Sequence, residues 1–103
     1  MIKLDLNNKS EKLFRKLLKK HNNDENSLIH SILKYHIDQL KKGIKNIQLD
    51  LAEFEQKYGM TTEDFYRDFI RGKLADENND YMEWSGEYEI LLDYKKELKE
   101  FEE

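Results

Sequence analysis

Eight apolar residues constrain this chain more than any others. Leu33, Ile37, Leu40, Ile44, Ile47, Leu51, Phe54 and Tyr58 follow one another at spacings of 4-3-4-3-4-3-4. That is a heptad seam, and only an α-helix brings such positions onto one face. It predicts a single helix of ~35 residues, ~50 Å long at 1.5 Å per residue. Gly43 lies inside the seam, costs about 1 kcal/mol against alanine and is expected to mark a bend. A seam this long needs a cover, from the same chain or from another.

The rest of the chain reads as shorter helices with clear ends. Before the seam, Leu13, Phe14, Leu17 and Leu18 form the apolar stripe of a helix from about Ser10 to Lys20. Asn7-Asn8 is read as the turn before it. His21-Asn22-Asn23 ends that helix, because asparagine tolerates the left-handed conformation of a C-cap. Asp24 is the expected N-cap of the long helix, whose first turns bury Leu28, Ile29, Ile32 and Leu33. Gly59 sits where a C-cap glycine belongs. Thr61 with Asp64 has capping-box spacing, and Met60 with Phe65 has staple spacing. The short helix that follows shows Phe65, Phe69 and Ile70 on one side and ends near Gly72. Ala75 to Asn79 reads as a polar loop. Asn79 or Asp80 then caps a last helix to about Phe101, with Tyr81, Trp84, Tyr88, Leu91 and Leu98 in heptad-like spacing. The aromatic stripe suits an antiparallel hairpin against the Ile44–Tyr58 seam. It equally suits a partner surface, since Trp and Tyr are favoured interface anchors.

The N-terminus differs. Ile2, Leu4 and Leu6 alternate with Lys3 and Asp5, the period of a half-buried strand. One strand leaves its backbone groups unpaired, and the simplest mate is the same strand of a second copy. With 38% apolar and 39% charged residues in 103, a monomer would bury little, which also favours a homodimer.

The net charge of −4 hides a segregation. Through Asn46, eleven Lys/Arg stand against five Asp/Glu, a net +6; from Ile47 onward seven stand against seventeen, a net −10. A basic front suits phosphate, and an acidic back suits a basic protein partner. No apolar run approaches the ~20 residues of a membrane span, and no signal-peptide pattern opens the chain. With no cysteine, the expected compartment is the cytoplasm.

Catalysis and metal binding are not expected. The serines have no glycine elbow or oriented base nearby, and His21, His30 and His36 lack the spacing of paired ligands. Asp76, Asn78, Asp80 and Glu87 match positions 1, 3, 5 and 12 of a calcium loop, but Tyr81 occupies the place where the sharp turn requires glycine. No cofactor is implied.

The stretch from Ile2 to about Lys42, with Ile2-Lys3-Leu4-Asp5-Leu6, then Leu13-Phe14-x-x-Leu17-Leu18, then Asn22-Asn23-Asp24-x-x-Ser27-Leu28-Ile29, resembles the MetJ/Arc-type ribbon-helix-helix family of transcription regulators. The resemblance implies a mainly α ribbon-helix-helix homodimer with one short strand per chain and a C-terminal helical extension. Paired strands would read duplex DNA in the major groove through outward Lys3 and Asp5. The first turn of the second helix, at Glu25, Asn26 and Ser27, would hold a phosphate. Asp5 departs from the Arg, Lys, Thr, Gln or Asn usual at that outward position. Tyr58 to Tyr66 and Tyr81-Met82-Glu83-Trp84 resemble the tails of small antitoxin-like proteins. The division expected is thus residues 1–46 for dimerisation and DNA, and 47–103 for a basic toxin held by Phe65, Tyr66, Phe69, Tyr81, Trp84 and Tyr88. The alternative is a helical homodimeric interaction module that does not bind DNA.

Overall fold

A computed structural model describes residues 5–74 and 79–102. Among these residues there are four helices and no strand: α1 (Asn8–Lys20), α2 (Glu25–Tyr58), α3 (Thr62–Ile70) and α4 (Asn79–Glu102). The chain divides into two compact units, Met1–Asp38 and Gln39–Glu103, and the division falls inside α2.

The ribbon-helix-helix expectation is overturned at this point. Ile2, Lys3 and Leu4 lie outside the described residues. Asp5 to Asn7 have no regular structure. Asn7 is the N-cap of α1, its side chain accepting from Ser10 N–H at 2.8 Å. That bond starts the helix at Asn8, two residues before the expected Ser10, and leaves Asp5 and Leu6 as a short lead-in. The mainly helical part of the expectation holds.

In the first unit α1 ends as its sequence suggests, with Asn22 and Asn23 at left-handed φ of 56° and 59°. Asp24 then caps α2, its Oδ1 accepting from Asn26 N–H at 3.0 Å and Ser27 N–H at 3.4 Å. The reversal is tied further by a 3.1 Å contact between His21 Nδ1 and Ser27 Oγ. Among the described residues of this unit Leu28 is the buried side chain, at 2% exposure.

The second unit is an antiparallel helical hairpin with α3 packed on it. As residue numbers fall along α2 they rise along α4: Tyr58 meets Tyr81, Phe54 meets Trp84, Gly43 meets Tyr94 and Lys41 meets Glu102. The seam residues from Leu40 onward face this hairpin, with Leu40 and Leu51 buried and Ile44, Ile47, Phe54 and Tyr58 packed against the core. The seam therefore has its cover within the chain over this stretch. Gly43 serves a purpose other than a bend. The helix continues through it, and a Cβ there would lie 3.0 Å from Tyr94 Cε2, so the missing side chain makes room for the ring. Gly59, at φ 66°, supplies the left-handed residue that ends α2. Thr61 then caps α3, accepting from Asp64 N–H at 3.2 Å.

Candidate interaction surface

The six aromatic residues expected to hold a partner are gathered by the fold into one cluster, and most of that cluster is core. Phe65 and Trp84 are fully buried, their rings stacked at 3.8 Å between centroids and 3° between planes. Phe54 and Tyr58 flank Trp84 at 5.5 and 5.7 Å. Phe69 stacks on Phe65, Tyr81 leans on Phe65 and Phe69, and Tyr66 meets Tyr88 at 4.9 Å. Tyr66, Phe69, Tyr81 and Tyr88 keep partial exposure, so they form the rim of this core.

The polar tips of Trp84, Tyr58 and Tyr66 each have a partner. Trp84 Nε1 donates to Thr62 Oγ1 at 3.0 Å, and Thr62 N–H donates to Glu55 Oε2 at 2.7 Å. A carboxylate on the first N–H of α3 also suits the positive end of that helix. Tyr58 OH and Lys57 Nζ both donate to Asp80, each at 2.6 Å, and this holds the Asp80 carboxyl below its ordinary value. Tyr66 OH donates to Glu89 at 2.7 Å, which raises the phenol. Of the calcium-loop pattern, Asp76 and Asn78 lie outside the described residues, while Asp80 is engaged as stated and Glu87 sits on α4. Among the described residues no cluster of acidic or histidine side chains has the arrangement of a metal site.

Glu87 on α4 differs from these. Its Oε2 is shut off from solvent with no donor to it among the described residues. Burial first, then the influence of the Asp50 carboxyl and the charges of Glu83 and Glu53, push its pKa from 4.5 up to about 7.

The first unit shows the opposite balance: little is buried and much apolar surface is in water. Leu13 and Leu17 on α1 are 54% and 47% exposed, and Ile32 and Leu33 on α2 are 50% and 38% exposed. Leu6 and Tyr35 are exposed beside them in sequence. On the α1 wheel, Leu13, Phe14, Leu17 and Leu18 occupy one arc, and Lys9, Lys12, Arg15, Lys16, Lys19 and Lys20 the other. Glu11 is the single acid of this helix, and it pairs with Arg15 at 2.9 Å. The result is a helix with an uncovered apolar face and a cationic back.

Of the expected DNA contacts, Lys3 lies outside the described residues and Asp5 is exposed without regular structure. Asn26 and Ser27 stand in the first turn of α2, but their N–H groups already bond Asp24. The sequence shows the α1 face only as an apolar stripe. Its alternation of leucine and lysine arcs was the available signal, and how much of it α2 covers was not written there. Compared with known proteins, the chain matches no family model, no curated protein and no solved structure. Among the described residues no helix is long and apolar enough to cross a membrane.

Proposed function

We propose that this chain is a non-enzymatic helical interaction module that works as a homodimer, assembling through the apolar face of Met1–Asp38. The observation that carries this reading is the exposed set Leu13, Leu17, Ile32 and Leu33 in a unit whose buried side chain is Leu28. Two helices that bury so little do not repay the entropy of ordering about forty residues. A second copy supplies a matching apolar face, and a two-fold axis closes the contact without leaving a sticky edge. The cationic arc of α1 stays in water in that arrangement. A cytoplasmic setting goes with this reading.

The test is the mass of the full-length chain by sedimentation equilibrium. A dimer is expected at micromolar concentration, and Leu13→Lys with Leu17→Lys is expected to yield a monomer. Wild-type protein that stays monomeric up to hundreds of micromolar would refute the assembly.

A second reading, a DNA-binding antitoxin, is favoured by one observation: α1 carries six cations against one acid, while Gln39–Glu103 carries ten against seventeen. In this reading the cations of α1 contact duplex phosphates and the acidic unit takes a basic toxin. Duplex binding whose log affinity falls steeply with log salt, and which Lys12→Gln with Lys16→Gln weakens, supports it. No binding at low salt removes it.

A further inference from the structure

We infer that α1 docks on a bilayer surface of anionic phospholipid, its exposed leucines entering the acyl boundary and its lysines meeting the headgroup phosphates. The inference goes beyond the assembly in solution. The dimer covers the leucines of α1 and leaves its cations in water, whereas such a surface engages both at once. Second copy and bilayer are alternative covers for the same leucines, one in solution and one on the membrane. Lys9, Lys12, Arg15, Lys16, Lys19 and Lys20 stand on α1 against Glu11 alone, and Glu11 is paired with Arg15. Their placement is what favours lipid. At 3.6 residues per turn, Lys9, Lys16 and Lys20 fall within about 60° of Leu13 on one side, and Leu17 lies about 40° round on the other. Phe14 and Leu18 lie further round from Leu17 and are half-buried, while Leu13 and Leu17 are exposed. The exposed leucines therefore share an edge with three lysines and with no acid of α1.

A helix of this pattern lies in the plane of a membrane interface, its apolar side about 5–10 Å deep and its charges among the headgroups. Lysine suits that border, because its aliphatic stem follows the leucines down while the ammonium stays in the wet layer. The 13 residues of α1 make a rod of ~20 Å that can lie flat. Two leucines bury less hydrocarbon than one myristoyl chain, which alone holds a protein only marginally. The charge is therefore needed. Each cation near an anionic surface adds about fivefold to the partition, so three add on the order of a hundredfold. Duplex DNA would meet the same lysines, but it would leave Leu13 and Leu17 in water.

The experiment sediments the full-length chain with sucrose-loaded vesicles, either of phosphatidylcholine mixed with phosphatidylglycerol or of phosphatidylcholine alone. Binding to the mixed vesicles is expected, and about tenfold or more weaker binding to the neutral ones. Lys9→Gln with Lys16→Gln and Lys20→Gln should weaken binding to the mixed vesicles by about tenfold or more. Leu13→Ser with Leu17→Ser keeps every cation and should lose the binding as well. Hydrogen exchange of the wild type reads the docking without any substitution: the amides of α1 should gain protection on the mixed vesicles. A wild-type chain that ignores the mixed vesicles at low salt, or whose α1 exchange is unchanged on them, would overturn the inference. So would a leucine variant that binds them as the wild type does, because cations alone would then suffice. Binding to duplex DNA in place of the vesicles returns the cations to the DNA-binding reading and defeats this one. The outcome is separable from the assembly: a chain that binds the vesicles yet sediments as a monomer without them defeats the dimer and leaves the docking in place.

Discussion

Trp84 shows how one side chain can close a core and set a helix at once. Its ring lies between Phe65, Phe54 and Tyr58, and its Nε1–H takes the hydroxyl of Thr62, the first residue of α3. Burying an indole is worth several kcal/mol only if that N–H finds an acceptor. Thr62→Val keeps the shape and removes the acceptor, so it should cost about 1–3 kcal/mol in urea unfolding. Trp84→Ala should cost about 3–5 kcal/mol, since it leaves a cavity where the rings converge. Trp84→Phe combined with Thr62→Val should cost less than the two changes separately, because the second change then orphans nothing. A strictly additive result would mean that the bond contributes little. The sequence placed Trp84 on the correct face of the correct helix. It gave no sign that threonine would be its acceptor, because that pairing spans two helices and the loop between them.

At the scale of elements, what was readable is what is decided within a few residues. Asn22-Asn23, Asp24, Gly59 and Thr61 end or begin helices in the structure as they do on paper, because a cap is a contact between near neighbours in the chain. The heptad seam gave α2 to within a residue or two for the same reason. Of the expected strand only Asp5 and Leu6 are described, and they have no regular structure, with Asn7 opening the helix directly after them. Gly43 was misread as a bend because its reason is Tyr94, about fifty residues away. A coupled pair of substitutions tests that contact. Gly43→Ala alone adds helix propensity but forces the Tyr94 ring aside, and its net effect should be within about 1 kcal/mol of zero. In a Tyr94→Ala background the obstruction is gone, so the same change should stabilise by about 1 kcal/mol. Equal effects in both backgrounds, measured by thermal unfolding, would show that Gly43 does not serve the ring.

For the whole molecule, charge and packing change together along the chain. Met1–Asp38 holds eight basic residues against five acidic ones and one buried side chain among those described. Gln39–Glu103 is acidic and holds the aromatic core. The candidate site was half legible. The cationic run and the leucines of α1 can be read directly, but their exposure depends on what covers them, and composition says nothing of that. The buried carboxyl oxygen of Glu87 was not legible at all, because it depends on how α4 packs.

The asymmetry has a practical outcome for anyone who watches this protein melt. Trp84 is the chain's single tryptophan, and it lies wholly inside the second unit. Its emission is an intrinsic reporter for that half, and the first half is nearly dark to it. Helical circular dichroism sees both. In dilute solution, where mass action dissolves any self-association, the ellipticity of Met1–Asp38 should fade at lower temperature than the fluorescence transition. Raising the protein concentration should draw the two curves together, and curves that coincide at every concentration would mean that both halves melt as one.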